Sequence, residues 1–194
     1  DTAIAAFGLI FPLLSIAYMP IIGIGQGLQP IVGFSYGAKQ YDRARHATRL
    51  ALGVGITIGC IGLLFFLTAM RPIANLFSKD PELVDMVVTA TPYITLSLPF
   101  IAFQLLGAVL FQALGKALPA FFLSLSRQLL FLIPLLIIVP LIAGFHGIWQ
   151  AFPIADALGC GIGLVLIIFQ MKRLRGMATI NPPAAYSPGA VETE

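Results

Sequence analysis

The sequence predicts an all-α integral membrane protein, a bundle of five transmembrane helices. Three observations carry that reading. Hydrophobic residues make up 59% of the chain against 10% charged, with a mean hydropathy of +0.98. Folded in water, such a chain would expose large apolar patches, whereas lipid already solvates those faces. Uncharged runs long enough to cross a bilayer, which takes about 20 residues, recur along the chain. Lys and Arg gather in the connections between alternate runs, as they do in short cytoplasmic loops.

The first run extends uncharged from Thr2 to Ala38, too long for one straight span. Pro12, Pro20 and Pro30 supply bends, and one long, bent helix is expected. Its second half is rich in Gly and Pro and leads into a basic loop at 39–49 carrying Lys39, Arg43, Arg45 and Arg49. Interrupted apolar segments of this kind point to a transporter's substrate pathway, with a plain kinked helix packed closely on its neighbours as the alternative.

The second run, Leu50 to Met70, is a clean span. Gly55, Gly59 and the nearby Gly62 let another backbone approach closely, and Arg71-Pro72 is expected to end it. Asp80-Pro81-Glu82 has the form of a helix start. The third run, Met86 to Gly115, carries Pro92 and Pro99 early, then Gln104 and Gln112 on one helical face. The fourth, Leu118 to Ala143, contains a single charge, Arg127, with Pro134 and Pro140. The fifth, Ile148 to Met171, also contains a single charge, Asp156, and stops at Lys172-Arg173-Leu174-Arg175. Residues 1–175 form the transmembrane unit, and the Pro-, Ala- and Ser-rich stretch 176–194 is expected to be a disordered cytosolic tail.

Orientation follows from the basic residues. With the 39–49 loop in the cytosol, alternation places the Lys116 turn and the Lys172–Arg175 end there too, leaving only Arg71 and Lys79 outside. The C-terminus is then cytosolic. SYGAKQYDRA and QALGKALPA echo one another weakly, each after an outside-to-inside helix.

Arg127 and Asp156 are the candidate site charges, because an ionised group within a span usually faces a bundle interior or a wet cavity. Each lies about nine residues inside its span, roughly 13 Å deep at about 1.5 Å per residue. A proton- or cation-handling carboxylate at Asp156 and a structural ion pair with Arg127 are both open. Gln26, Gln29, Gln104 and Gln112 offer amides either to a pocket or to interhelical hydrogen bonds. Tyr36, Tyr93, Phe100, Phe103 and Phe111 offer ring faces to flat cations or simply pack. His46 and His146 fall on opposite sides and form no joint site. Cys60 and Cys160 lie in separate apolar runs, so neither a disulfide nor a metal site is expected. No enzyme motif is present: GxSxG, P-loop, HExxH and a dinucleotide fingerprint are all missing. No cofactor is implied, and the net charge of +3 belongs to the connections rather than to a nucleic-acid surface. There is no basic n-region ahead of the first apolar run, and the start on Asp1 suggests a piece of a longer protein.

Gly25-x-Gly27-x-x-Pro30 followed by Ser35-Tyr36-Gly37-Ala38-Lys39 resembles a signature of the MATE family, the multidrug and toxic compound extrusion transporters. TPYITLSLPFIAFQLLGAVLFQALGKALPAFFLSLSRQ and GIWQAFPIADALG are similar to the family's tenth to twelfth helices, so the resemblance covers roughly residues 1–173 as helices eight to twelve. It implies a MATE-like bundle, five helices of a six-helix lobe, in the DinF-like bacterial branch. It further implies export of cationic, amphipathic drugs by antiport with H⁺ or Na⁺ as coupling ion, in a multi-pass bacterial plasma membrane protein. The partners implied are the lipid bilayer, the drugs and the N-terminal lobe of the same protein. One branch of the family carries a cation-binding carboxylate in its tenth helix. Here the run 86–115 has no acid, which moves the expected coupling carboxylate to the N-terminal lobe. A lipid-linked saccharide flippase of the same superfamily and an inactive truncated membrane subunit are the alternatives.

Overall fold

A computed structural model describes the backbone of residues 2–143 and 146–180, and the side chains of 5–125, 129–141 and 150–179. All regular structure among them is helical. α1 (Thr2–Gly37) and α2 (Tyr41–Phe77) are single long helices, as the proline-rich first run led us to expect for α1. α3 (Pro81–Thr95) and α4 (Leu98–Ala113) form one crossing bent by 41°. α5 (Ala117–Leu125), a π-helical segment (Ser126–Leu132) and α6 (Ile133–Ala143) form the next, and α7 (His146–Ile180) is the last. Among the described residues three helices are long and apolar enough to cross a membrane alone, and five crossings result when each bent pair is one span.

Lipid explains the distribution of polarity. Phe34, Leu118, Leu141 and Phe169 are exposed, while Thr48, Thr91, Thr95, Ser97, Gln104, Asp156 and Gln170 are buried. The three buried threonines bond the carbonyl one turn back, Thr48 to Ala44 at 2.8 Å, Thr91 to Val87 at 2.6 Å and Thr95 to Thr91 at 2.7 Å, whereas the buried Oγ of Ser35 and of Ser97 has no partner among the described residues.

Several connections differ from the expectation. The α1–α2 turn is only Ala38–Gln40, so Arg43, Arg45, His46 and Arg49 stand on the first turns of α2 rather than in a loop. The turn is a Schellman motif. The Gln40 N–H donates to the Ser35 carbonyl (2.8 Å) and the Lys39 N–H to that of Tyr36 (3.1 Å), with Lys39 itself left-handed at φ 59°. The same turn closes α4, where Gly115 has φ 70° and the Lys116 N–H reaches the Phe111 carbonyl at 2.9 Å. A shared turn type thus underlies the sequence echo. Arg71-Pro72 does not end α2, because Met70 at the end of the span and Ala74 beyond it are buried in a cluster with α3 and hold the helix through to Phe77. Asp80 caps α3 as expected, its carboxylate accepting from the Glu82 N–H at 3.1 Å. α7 likewise passes 175 and runs to Ile180, since Leu174 is fully buried and Pro182 is the next helix-breaking residue. The proposed tail boundary at 176 therefore falls inside a helix, and 181–194 lie outside the described residues. In the fourth crossing the helix widens to π geometry just before Pro134, whose ring would clash with the carbonyl four residues earlier.

α4 is the hub. Ten of its sixteen residues are buried, and it contacts α1, α2, α5 and α7. Gly59 on α2 makes its approach possible: a Cβ there would lie 2.9 Å from the Pro99 Cα, backbone that cannot move aside. Gly55, one turn earlier, would meet Leu106. The Gly55–Gly59 face was legible in the sequence, and this is what it receives.

Gly59→Ala should lower the thermal stability of the purified full-length protein by about 1–3 kcal/mol through overpacking. Gly23→Ala, where nothing lies within 4 Å, should leave it unchanged or slightly raised. Equal behaviour of the two would contradict the crossing. Lys39→Gly should stabilise by about 1 kcal/mol by relieving a left-handed non-glycine residue, and a loss of stability in the same unfolding measurement would contradict the turn.

Candidate functional site

The polar centre of the bundle is built where α4 meets α7. Gln104, about 5% exposed, donates from Nε2 to the backbone carbonyl of Asp156 at 3.0 Å. α7 makes room for this amide with Gly159, where an added Cβ would lie 3.0 Å from Gln104 Oε1. Asp156 itself is about 1% exposed, so α7 carries its one acid into the bundle rather than toward lipid. Gln104 Oε1 accepts no hydrogen bond among the described residues.

Gln104 also reaches a groove of about 250 Å³ between α4 and α5, lined with it by Gln112, Ser124 and the apolar Ile101, Ala108 and Leu123. Gln112, two turns further along α4, shares the face as its spacing predicts, but it is exposed where Gln104 is buried. Leu105 and Val109, on the groove wall, pack on Gly25 of α1, 3.5 and 3.3 Å from where a Cβ would stand. Gln26 beside that glycine and Gln29 one turn later are exposed. An amide in hydrocarbon loses its water partners at a cost of several kcal/mol. The surfaces that present Gln112 and Ser124 at the groove, and Gln26 and Gln29 on α1, are therefore suited to water or to further protein, not to acyl chains.

The remaining candidates divide. Arg127 stands on the π-helical segment, close in sequence to Ser124, but its side chain and any pairing with Asp156 lie outside the described residues. Tyr36 is half-buried and meets Tyr41 edge-on at 5.7 Å, fastening the α1–α2 turn rather than lining the groove. Phe103 and Phe111 are core residues, packed with Ala120, Leu123 and Ile167, whereas Tyr93 is exposed and Phe100 half-buried. A different aromatic group assembles. Phe7 and Phe11 stack at 5.4 Å, and Phe152 of α7 lies 6.1 and 6.4 Å from them. Its sequence signals were the four-residue spacing of Phe7 and Phe11 and the position of Phe152 one turn ahead of Asp156. Gly159 and Ser124 left no comparable signal. Among the described residues no three His, Cys, Asp or Glu gather as a metal site would require.

Arg45, Arg49, Lys116, Lys172, Arg173 and Arg175 collect at one end, while Arg71 pairs with Asp85 at 3.0 Å at the other. Lys116, in the turn after α4, donates to Gln170 Oε1 of α7. Burial, and then the nearby Arg173 guanidinium, hold its ammonium below the ordinary lysine range.

Comparison with known proteins agrees with this architecture. The family model MatE matches residues 1–138. The FAD transporter of Shewanella oneidensis is 28% identical over 160 residues, covering 81% of this chain and 35% of that protein. The multidrug export protein MepA of Staphylococcus aureus is 22% identical over 170 residues, covering 88% of this chain and 37% of that one. Among solved structures, the MATE multidrug transporter DinF-BH is 38% identical with a TM-score of 0.78, covering 84% of this chain and 36% of that chain. The chain thus spans little more than a third of the length of these relatives. Its five apolar crossings, its buried α4 and a family model matched over most of its length lead to one conclusion: the chain belongs to the MatE family of multidrug and toxic compound extrusion transporters, membrane transporters rather than enzymes.

Proposed function

We propose that this chain is the C-terminal lobe of a bacterial plasma-membrane exporter that removes cationic, amphipathic compounds in exchange for H⁺ or Na⁺. In this reading the basic end, with the C-terminus, faces the cytosol. The amide-lined groove and the polar stripe of α1 face the cleft shared with the other lobe. The single observation that carries the proposal is the groove itself: the exposed Gln112 and Ser124 and the inner end of the buried Gln104 line one cavity beside α4, on a bundle that exposes many large apolar side chains. Amides accept and donate without fixing a charge, which suits varied organic cations better than a single rigid partner would. The multidrug relatives support the substrate class.

The similarity to an FAD transporter favours a second reading, an anionic dinucleotide as substrate. Among the described residues that line the groove there is no Lys or Arg, the Arg127 side chain lying outside that set, and this weighs for the cationic class. A flippase handling pyrophosphate would need such cations too.

Three measurements test the proposal. Expression of the full-length protein should lower accumulation of a cationic dye, and collapse of the ion gradient should abolish the effect; an unchanged dye level counts against export. Asp156→Asn, nearly isosteric but unable to ionise, should impair dye export by about tenfold or more if the carboxylate handles the coupling ion. Gln112→Ala should cost no more than a few-fold, and equal, mild losses would make Asp156 a structural residue. With Cys60 and Cys160 replaced, cysteines at positions 112 and 124 should react with a water-soluble maleimide and one at 103 should not; protection of the first two would mean that the groove is dry.

A further inference from the structure

At the basic end, α2 and α7 enclose a second groove that neither the transport reading nor the family relationship uses. It has a volume of about 320 Å³, with Arg45, Arg49, Lys172 and Arg175 around an apolar floor of Ile167, Ile168 and Met171. Among the described residues one acid pairs with these four cations: Asp42, which accepts from Arg45 Nη1 at 3.0 Å and is itself largely exposed. The Arg45 side chain is only about 15% exposed, and its Nε is buried without a hydrogen-bond partner among the described residues. A guanidinium held this deep, with one donor unused, is oriented for an oxyanion with several acceptor oxygens. From Arg49 a shallower apolar channel of about 330 Å³ continues down α2 past Leu50, Gly53, Val54, Thr57 and Ile58. These positions form one helical stripe about 13 Å long at about 1.5 Å per residue. Gly53 opens it, since nothing lies within 4 Å of where its Cβ would be.

We propose that this paired groove is a binding site for one anionic phospholipid, its phosphate headgroup held by the four cations and an acyl chain laid along the α2 channel. The arrangement has the two parts that such a molecule has, in the right order. Charge sits at the helix ends, where headgroups lie, and the apolar stripe runs from there toward the hydrocarbon. Basic clefts between transmembrane helices select anionic headgroups because the partial removal of water strengthens each charge-assisted bond. A soluble anion would have no use for the channel. The proposal rests on the membrane location and not on any substrate or coupling ion, so a binding readout tests it independently of transport.

The experiment uses the purified full-length protein in detergent, titrated with phosphatidylglycerol, phosphatidylcholine or inorganic phosphate. Binding is read by native mass spectrometry and by the shift in unfolding temperature. Phosphatidylglycerol should remain bound and raise the unfolding temperature, while phosphatidylcholine and inorganic phosphate should do neither. Arg49→Gln with Arg175→Gln should weaken retention about tenfold. Gly53→Leu, which fills the channel without touching the charges, should weaken it several-fold while leaving the lipid-free unfolding temperature unchanged. Equal retention of the two lipids, or unaltered retention by the double variant, would overturn the proposal. Equal stabilisation by inorganic phosphate, with Gly53→Leu behaving as the parent protein, would also overturn it by making the site one for free anions.

Discussion

A bilayer offers no water to a broken backbone, so every interruption in a spanning helix has to be covered by protein. That constraint governs this structure most visibly at Leu96–Ser97, where α3 gives way to α4. The Leu96 N–H still reaches the Pro92 carbonyl at 3.1 Å and the Ser97 N–H that of Ile94 at 3.3 Å, while Pro99 has no N–H to satisfy. The break is then pressed against α2 at Gly59, the position where a side chain cannot fit. From this fastening α4 passes through the middle of the bundle, and the direction it takes decides which faces of α1, α5 and α7 it meets. The polar centre follows from that placement.

The same logic links the centre to transport. A carboxylic acid deep in a membrane protein is costly, and α7 keeps Asp156 inside, beside an amide from α4 that binds its backbone. Two helices that move relative to one another would change the surroundings of that acid, which is the kind of coupling an ion-driven exporter requires. The groove on the other side of Gln104 places a second polar surface within reach of the same residue. One glutamine thus borders both the buried acid and the groove.

Much of this was legible in the chain and some was not, for physical reasons. Composition and the uncharged runs were enough for five crossings, because the energetics of lipid leave few other solutions. Gly55 and Gly59 were readable as a close-packing face, and Gln104 with Gln112 as one side of a helix. Helix ends were harder. The basic stretch 39–49 has the look of a loop, yet helix propensity and the buried Ala44 and Thr48 pull it into α2. Lys39 in a left-handed position, where glycine is usual, gave no warning of the turn. The union of Gln104 with Asp156 spans 52 residues and depends on how α4 and α7 cross, which no local pattern encodes. Tyr36, Phe103 and Phe111 were chosen for their chemistry, and the fold uses them for packing.

Sidedness remains the claim on which the whole arrangement turns: α1 to α7 as five crossings, with all the basic turns on one face of the membrane. Single cysteines at positions 39, 116, 175 and 79 of the full-length protein, probed with an impermeant reagent in right-side-out and inverted vesicles, measure it directly. The account predicts that 39, 116 and 175 react from one common side and 79 from the other. Reaction of any of the first three on the side of position 79 would contradict it.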